Sequence, residues 1–67
     1  MNKVLEIRKR LDMSQREFGA EICCTQGNVS HYEARGQRVP VDVAKRIIEL
    51  AKTRGVELSL DDIYESS

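Results

Sequence analysis

The segment from residue 14 to residue 36 constrains the fold of this chain more than any other part of it. Ser14, with Glu17 three residues later, has the pattern of a capping box, in which each side chain accepts a hydrogen bond from the other residue's backbone N–H. Thr25 can cap a second helix with its side-chain oxygen. Gly36 can end that helix, because glycine tolerates the left-handed conformation common at helix ends. The sequence therefore predicts two short helices joined by a tight turn.

The two predicted helices have an apolar inward side and an unusual outward side. Apolar residues at helical spacing form the inward side: Phe18, Ile22, Val29 and Tyr32. Gly19 lies beside that stripe and allows the second helix to approach closely. The second helix carries small, uncharged hydrogen-bonding residues outward, in place of the lysines and glutamates of an ordinary solvated helix: Gln26, Gly27, Asn28, Ser30 and His31. Such a set is suited to contacts with the edges of DNA bases.

This pattern resembles the helix-turn-helix of the lambda-type phage repressor and Cro family. The positions that carry the resemblance are Ser14, Gln15, Gly19, Ile22, Cys24, Gln26, Val29, Tyr32, Glu33 and Gly36. Cys23 departs from the pattern, because the family usually has glycine at this point of the turn. A non-glycine residue there is expected to carry left-handed strain of roughly 1 kcal/mol. The resemblance extends more loosely over nearly the whole chain, which is most like a short, single-domain Cro protein.

The resemblance also implies two contacts that the residue pattern alone does not give. The family pairs an arginine at the position of Arg8 with the glutamate that here is Glu33, which would hold the first helix to the motif. The alternative is that Arg8 is a solvated surface residue. The family's glutamine at the position of Gln15 touches a DNA phosphate and braces the glutamine that here is Gln26.

The DNA contacts expected of such a motif fall into two groups. The second helix of a helix-turn-helix lies in the major groove, so base contacts are expected from its outward residues: Gln26, Gly27, Asn28, Ser30 and His31. Gln26 is the first candidate, because its amide can pair with N6 and N7 of adenine. The alternatives are a generic helix-start residue at Gln26 and a half-exposed surface histidine at His31. DNA-backbone contacts are expected from Gln15, Arg16, Arg35, Gln37 and Arg38, with Lys9 or Arg10 farther out.

Three further helices are predicted outside the motif. The first runs from Asn2 to Leu11 and has an apolar stripe of Val4, Ile7 and Leu11. The fourth begins with Pro40 in its first position, ends near Thr53 and stops at Gly55. Its predicted buried residues are Val41, Ala44, Ile47, Ile48 and Ala51.

The last predicted helix is short and opens with a second capping pattern. It begins at Ser59, continues to Tyr64 and is predicted to bury the apolar residues Leu60 and Ile63. The apolar residues Val56 and Leu58 precede it and are predicted to lie in the core. The alternative is a β-hairpin, because residues 56–60 alternate between apolar and polar. The prediction is an all-α fold, a compact five-helix domain of the lambda-repressor type that covers residues 1–67, with the helix-turn-helix at 14–36.

Composition limits the class of protein. At 67 residues the chain forms one domain, and no apolar run approaches the length of a membrane span or a signal sequence. The net charge is zero, but residues 1–38 carry seven Lys or Arg against five Asp or Glu, while residues 39–67 carry four against six. Phosphate attraction should therefore be modest. Two adjacent cysteines are expected to stay reduced, in the cytoplasm of a bacterial host.

The predicted function is a sequence-specific repressor that binds a near-palindromic operator as a homodimer, as a phage or prophage Cro protein does. The predicted dimer interface consists of Leu50, Leu58 and Tyr64. No catalytic group, metal site, cofactor or small-molecule ligand is expected, because Cys23, Cys24 and His31 lack the spacing of a zinc site. The alternative is an antitoxin-type protein-interaction module of the same family that regulates its own operon.

Overall fold

The computed structural model describes residues 3–36 and 38–64, and these residues contain five helices. They are α1 (Val4–Arg10), α2 (Gln15–Glu21), α3 (Gln26–Arg35), α4 (Val41–Thr53) and α5 (Leu60–Ile63). No strand occurs within those ranges, so the all-α prediction is confirmed and the hairpin alternative is wrong. The predicted start of the first helix at Asn2 lies outside the described residues.

The helix starts of the motif are capped as their sequence predicts. The Ser14 hydroxyl accepts a hydrogen bond from the Glu17 N–H at 3.1 Å, and the Glu17 carboxylate accepts one from the Ser14 N–H at 3.1 Å. The Thr25 hydroxyl accepts a hydrogen bond from the Asn28 N–H at 3.1 Å. Gly36 ends α3 in the left-handed conformation, with φ of 62°. These local bonds satisfy backbone groups that a helix end leaves free.

The turn between α2 and α3 brings two backbone segments into close contact. The Cys24 N–H donates to the Gly19 carbonyl oxygen at 2.7 Å, and Gly19 is buried. A Cβ on Gly19 would lie 2.9 Å from the Cys24 carbonyl oxygen, which is closer than real Cβ atoms come. Cys23 has a φ of 59°, so the residue that departs from the family's glycine adopts the left-handed conformation expected of that position.

A single hydrophobic core joins the helices. α3 packs against α2 and α1, and α4 packs against α5. The fully buried side chains include Phe18, Ile22, Ile47, Ile63, Val4, Val29 and Val39. The apolar stripes predicted for the first three helices are confirmed, since Ile7, Leu11 and Tyr32 are buried as well.

The predicted buried face of α4 is wrong in part. Its buried residues are Val43, Ala44, Ile47, Leu50 and Ala51. Val41 is half exposed and Ile48 is only partly buried, although both were expected in the core. Leu50, expected to lie off the stripe, is buried. Pro40, with ψ of 150°, is the residue before the helix, so its predicted place as the first helical residue is wrong. Val39, which precedes it, is fully buried in the core.

The C-terminal region follows the prediction closely, with one exception. The Asp62 carboxylate accepts hydrogen bonds from the N–H and the hydroxyl of Ser59 at 2.8 and 3.1 Å. Val56 and Leu58 are partly buried against the core, and Ile63 is fully buried. Leu60 is 38% exposed, so its predicted burial is wrong, because it occupies the solvent-facing start of a helix only one turn long.

We expect the Gly19→Ala substitution to lower the free energy of unfolding by about 1–3 kcal/mol, because the new methyl group meets the backbone of the turn and cannot be relieved by a side-chain rotation. Urea denaturation measures the change. The matched control is Gly27→Ala, where the nearest atom to a new Cβ is the Thr25 hydroxyl oxygen at 3.8 Å. Equal stability of both variants would contradict the close packing of α2 on the turn.

We expect Cys23→Gly to raise the free energy of unfolding by about 1 kcal/mol, because glycine removes the left-handed strain at a φ of 59°. Ala20→Gly is the control, since the same residue is introduced at an exposed position of right-handed α2. That variant should lose about 0.5–1 kcal/mol. A Cys23→Gly variant that loses stability by the same amount would contradict the strain.

Candidate nucleic-acid interface

α3 presents an exposed face opposite the residues that it buries. Val29 and Tyr32 point into the core, and a rotation of 100° per residue places Gly27, Ser30 and His31 on the other side. Gly27 and His31 are exposed, and Ser30 is half-buried. The remaining predicted base-contact residues, Gln26 and Asn28, lie on the two flanks of this face and are both exposed. All five predicted residues are therefore at least partly accessible on one helix.

Ala34 belongs to the same face and was missed by the sequence analysis. It is exposed, and it follows His31 by three residues and Gly27 by seven, which places it on the same side of the helix. A small apolar side chain can contact the methyl group of thymine. Its helical spacing from Gly27 and His31 is the signal that identifies it, although it has no hydrogen-bonding side chain.

The charged residues predicted to contact the DNA backbone are accessible. Arg16 lies in the first turn of α2, Arg35 is the last residue of α3 and Arg38 follows in the connection to α4; all three are exposed. Lys9 and Arg10 are exposed on α1. Gln37 lies outside the described residues.

A carboxylate on α3 holds the motif to α1. Glu33 Oε2 accepts a hydrogen bond from Arg8 Nε at 2.6 Å, and Glu33 Oε1 accepts one from Arg8 Nη2 at 3.1 Å. Arg8 Nη1 also donates to the Met13 carbonyl oxygen at 2.8 Å. The two side chains are 15% and 6% exposed, respectively. The ion pair implied by the family resemblance is thus present, and the solvated-arginine alternative is wrong.

Gln15 joins the same network through a contact that the sequence analysis did not foresee. Its amide nitrogen donates to Glu33 Oε1 at 3.0 Å, across 18 residues. Glu33 therefore orients the Gln15 amide, which lies half-buried at the start of α2. The expected contacts of Gln15 with Gln26 and with a phosphate remain predictions.

The network also changes the acidity of its members. Burial raises the pKa of Glu33, but the hydrogen bonds from Arg8 and Gln15, together with the charges of Arg8 and Lys9, outweigh it and lower the pKa below its usual value. The Glu33 hydrogen bond raises the pKa of Arg8. Both shifts favour the charged pair. The pair's stabilisation is therefore present above the ordinary glutamate pKa and is lost as the pH falls through the lowered one.

The cysteines of the turn are free thiols with different surroundings. Cys23 is exposed, whereas Cys24 is partly buried against the core. Burial raises the pKa of the Cys24 thiol, with the nearby Arg46 charge opposing the change. Among residues 3–36 and 38–64, no group of three or more His, Cys, Asp or Glu residues is placed to hold a metal ion. No helix in these ranges is long and apolar enough to cross a membrane.

The three residues predicted to form a dimer interface are less accessible than expected. Leu50 is only 8% exposed and belongs to the core, and Leu58 is partly buried. Tyr64 is also partly buried, and its hydroxyl donates to the Val39 carbonyl oxygen at 2.6 Å within the same chain. Their role between two copies of the chain remains a prediction.

One comparison with known proteins gives a family. The family model described as an RsaL-like HTH domain matches residues 5–51, which is more than two thirds of the chain. The match covers all of α2 and α3 and nearly all of α1 and α4. It identifies this region as a helix-turn-helix domain, a class that binds DNA in transcriptional regulation and is typically not enzymatic. No curated protein and no solved structure shows a significant match to the chain.

We expect Arg8→Ala to lower the free energy of unfolding by about 2–4 kcal/mol at neutral pH, because it leaves the largely buried Glu33 carboxylate without its ionic partner. Arg10→Ala, an exposed position on the same helix, is the control and should change stability by less than about 0.5 kcal/mol. Thermal unfolding at several pH values measures both variants. The stability gap between wild type and Arg8→Ala should narrow as the pH falls through the lowered Glu33 pKa. A gap that is independent of pH would contradict the assigned ionic role.

Proposed function

Because the chain belongs to the RsaL-like helix-turn-helix family, we propose that it is a transcriptional repressor that recognises a DNA sequence through α3 in the major groove. The observation that carries the proposal is the composition of the exposed face of α3. Its residues Gly27, Ser30, His31 and Ala34 include no lysine or carboxylate, whereas solvated helix faces usually carry both. A surface of this kind is suited to base edges, which are read by hydrogen bonds and methyl contacts.

Gln26 would provide the most discriminating contact. It is exposed in the first turn of α3, where Thr25 caps the helix and fixes where it begins. A glutamine amide that pairs with N6 and N7 of adenine contributes roughly 1–3 kcal/mol of discrimination. Asn28, Ser30 and His31 would supply further base contacts, and Gly27 would allow the backbone to approach the groove.

The DNA backbone would be contacted from both sides of α3. Gln15 and Arg16 lie at the start of α2, and Arg35 and Arg38 lie at and after the end of α3. Gln37 is proposed for the same role. Such contacts place the protein on the duplex without reading its sequence. The chain has a net charge of zero, so we expect these few groups to give a modest dependence of affinity on salt.

We further propose that the repressor acts as a homodimer on a near-palindromic operator, as the resemblance to single-domain phage or prophage Cro proteins implies. Two copies of α3 would then lie about 34 Å apart, one turn of DNA. Leu58 and Tyr64, with the edge of Leu50, are the proposed contacts between copies. The proposed setting is the cytoplasm of a bacterial cell that carries the phage or prophage.

Selection of bound sequences from a pool of random duplex DNA tests this function. We expect recovery of a site with two-fold symmetry, and we expect Gln26→Ala to lose its preference at one base pair in each half-site, at a cost of about 1–3 kcal/mol per half-site. Lys52→Ala, an exposed substitution on α4 outside the proposed interface, is the matched control and should select the wild-type site.

The outcomes separate the proposals from one another. A recovered site without symmetry would contradict the homodimer, and an unchanged preference in Gln26→Ala would contradict the role of that residue. Failure of the wild-type chain to enrich any sequence would contradict the repressor and favour the antitoxin-type interaction module.

A further inference from the structure

The last described residue holds the connection between α3 and α4. The hydroxyl of Tyr64 donates a hydrogen bond to the Val39 carbonyl oxygen at 2.6 Å, across 25 residues of sequence. Val39 lies in the short non-helical connection, immediately after Arg38 and before Pro40. This is a long-range bond between the C-terminal region and the segment that follows the proposed recognition helix.

Tyr64 is itself firmly placed. Its N–H donates to the Leu60 carbonyl oxygen at 3.1 Å, and its ring is partly buried against the core. The neighbouring Ile63 is fully buried, and its carbonyl oxygen accepts a hydrogen bond from the Lys3 N–H at 3.0 Å. The phenol hydroxyl therefore extends from an anchored backbone, and its bond can fix the position of whatever it reaches.

The segment that Tyr64 reaches has a fully buried residue next to an exposed arginine. Val39 has no exposed surface, whereas Arg38 is exposed. The carbonyl of Val39 lies outside the helices, so the Tyr64 hydroxyl satisfies an acceptor that no helix supplies with a donor. The bonded carbonyl belongs to the peptide between Val39 and Pro40, and only the backbone of Val39, whose side chain is fully buried, separates this peptide from Arg38.

We propose that Tyr64 is a positioning residue for the contact of Arg38 with the DNA backbone. The proposal rests on the proposed function, because it assigns a partner to Arg38 that only DNA binding provides. The Tyr64 bond restricts the backbone next to Arg38 before DNA binds. The loss of conformational entropy at this point therefore does not reduce the free energy of DNA binding. The role belongs to the hydroxyl, since the ring packing would survive in phenylalanine.

The salt dependence of DNA binding tests this inference, with Tyr64→Phe as the variant and the duplex recovered by selection as the probe. Removal of one phosphate contact lowers the slope of log affinity against log salt by about one. We expect Tyr64→Phe to show part or all of that decrease for each bound copy and to bind up to about tenfold more weakly per copy at low salt. Its sequence preference should remain that of the wild type, because no base contact changes.

A double-mutant cycle with Arg38→Ala assigns the effect. If Tyr64 acts through Arg38, Tyr64→Phe should change neither the affinity nor the slope further in the Arg38→Ala background. Thr53→Val is the control for loss of a hydroxyl, because it removes a 2.6 Å hydrogen bond to the Leu50 carbonyl oxygen, away from the α3–α4 connection. That variant should retain the wild-type slope.

Four results would overturn the inference. If the wild type binds DNA and Tyr64→Phe has an unchanged slope, this inference is overturned and the proposed function is not. Effects of the two substitutions that add fully in the cycle also overturn it. A weaker dimer with an unchanged slope, measured by sedimentation, would assign Tyr64 to the interface between copies. Absence of any salt-dependent binding by the wild type would overturn the proposed function and this inference together.

Discussion

The Glu33 carboxylate is the point at which three helices of this small domain are joined. Glu33 belongs to α3, and it accepts hydrogen bonds from Arg8 of α1 and from Gln15 of α2. Arg8 reaches farther, to the Met13 carbonyl oxygen in the turn between α1 and α2. Apolar packing resists separation of the helices but is not directional, whereas these bonds have required angles and lengths. The orientation of α3 therefore depends on them.

This arrangement matters because few other polar groups connect the helices of the motif. The two caps at Ser14 and Thr25 are local and fix where α2 and α3 begin, not how they lie on α1. The ion pair is largely withdrawn from water, so removal of either partner leaves a charge that the surroundings cannot solvate. The same pair lowers the pKa of Glu33 and so keeps itself charged over the ordinary range of pH.

Features of the fold that depend on residues close in sequence were predictable. Features that depend on which helices pack together were not. The caps at Ser14 and Thr25 and the end at Gly36 involve residues a few positions apart, so short patterns identify them. The face of α4 was assigned wrongly because its apolar residues fit two overlapping stripes. Packing decides between the stripes, and it selects the one with Leu50 over the one with Val41.

The candidate site shows the same division. The outward residues of α3 follow from helical spacing, and Ala34 could have been added by the same rule. The ion pair of Arg8 with Glu33 was found through a family resemblance and not through its spacing of 25 residues. The partners of Gln15 and Tyr64 lie 18 and 25 residues away, and no local pattern indicates them.

A domain with no net charge gains little binding free energy from general attraction to DNA phosphates. The proposed function therefore depends on specific contacts whose groups are already ordered before binding. Weak attraction to phosphates lowers binding to the wrong sequences as well as to the right one, and repression depends on the ratio between them. That ratio improves when the reading groups are ordered before binding. The network around Glu33 orders the helix that carries Gln26. The proposed role of Tyr64 serves Arg38, a backbone contact that adds affinity without reading sequence. In the proposed function, the internal hydrogen bonds around Glu33 thus compensate for the absence of a net positive charge.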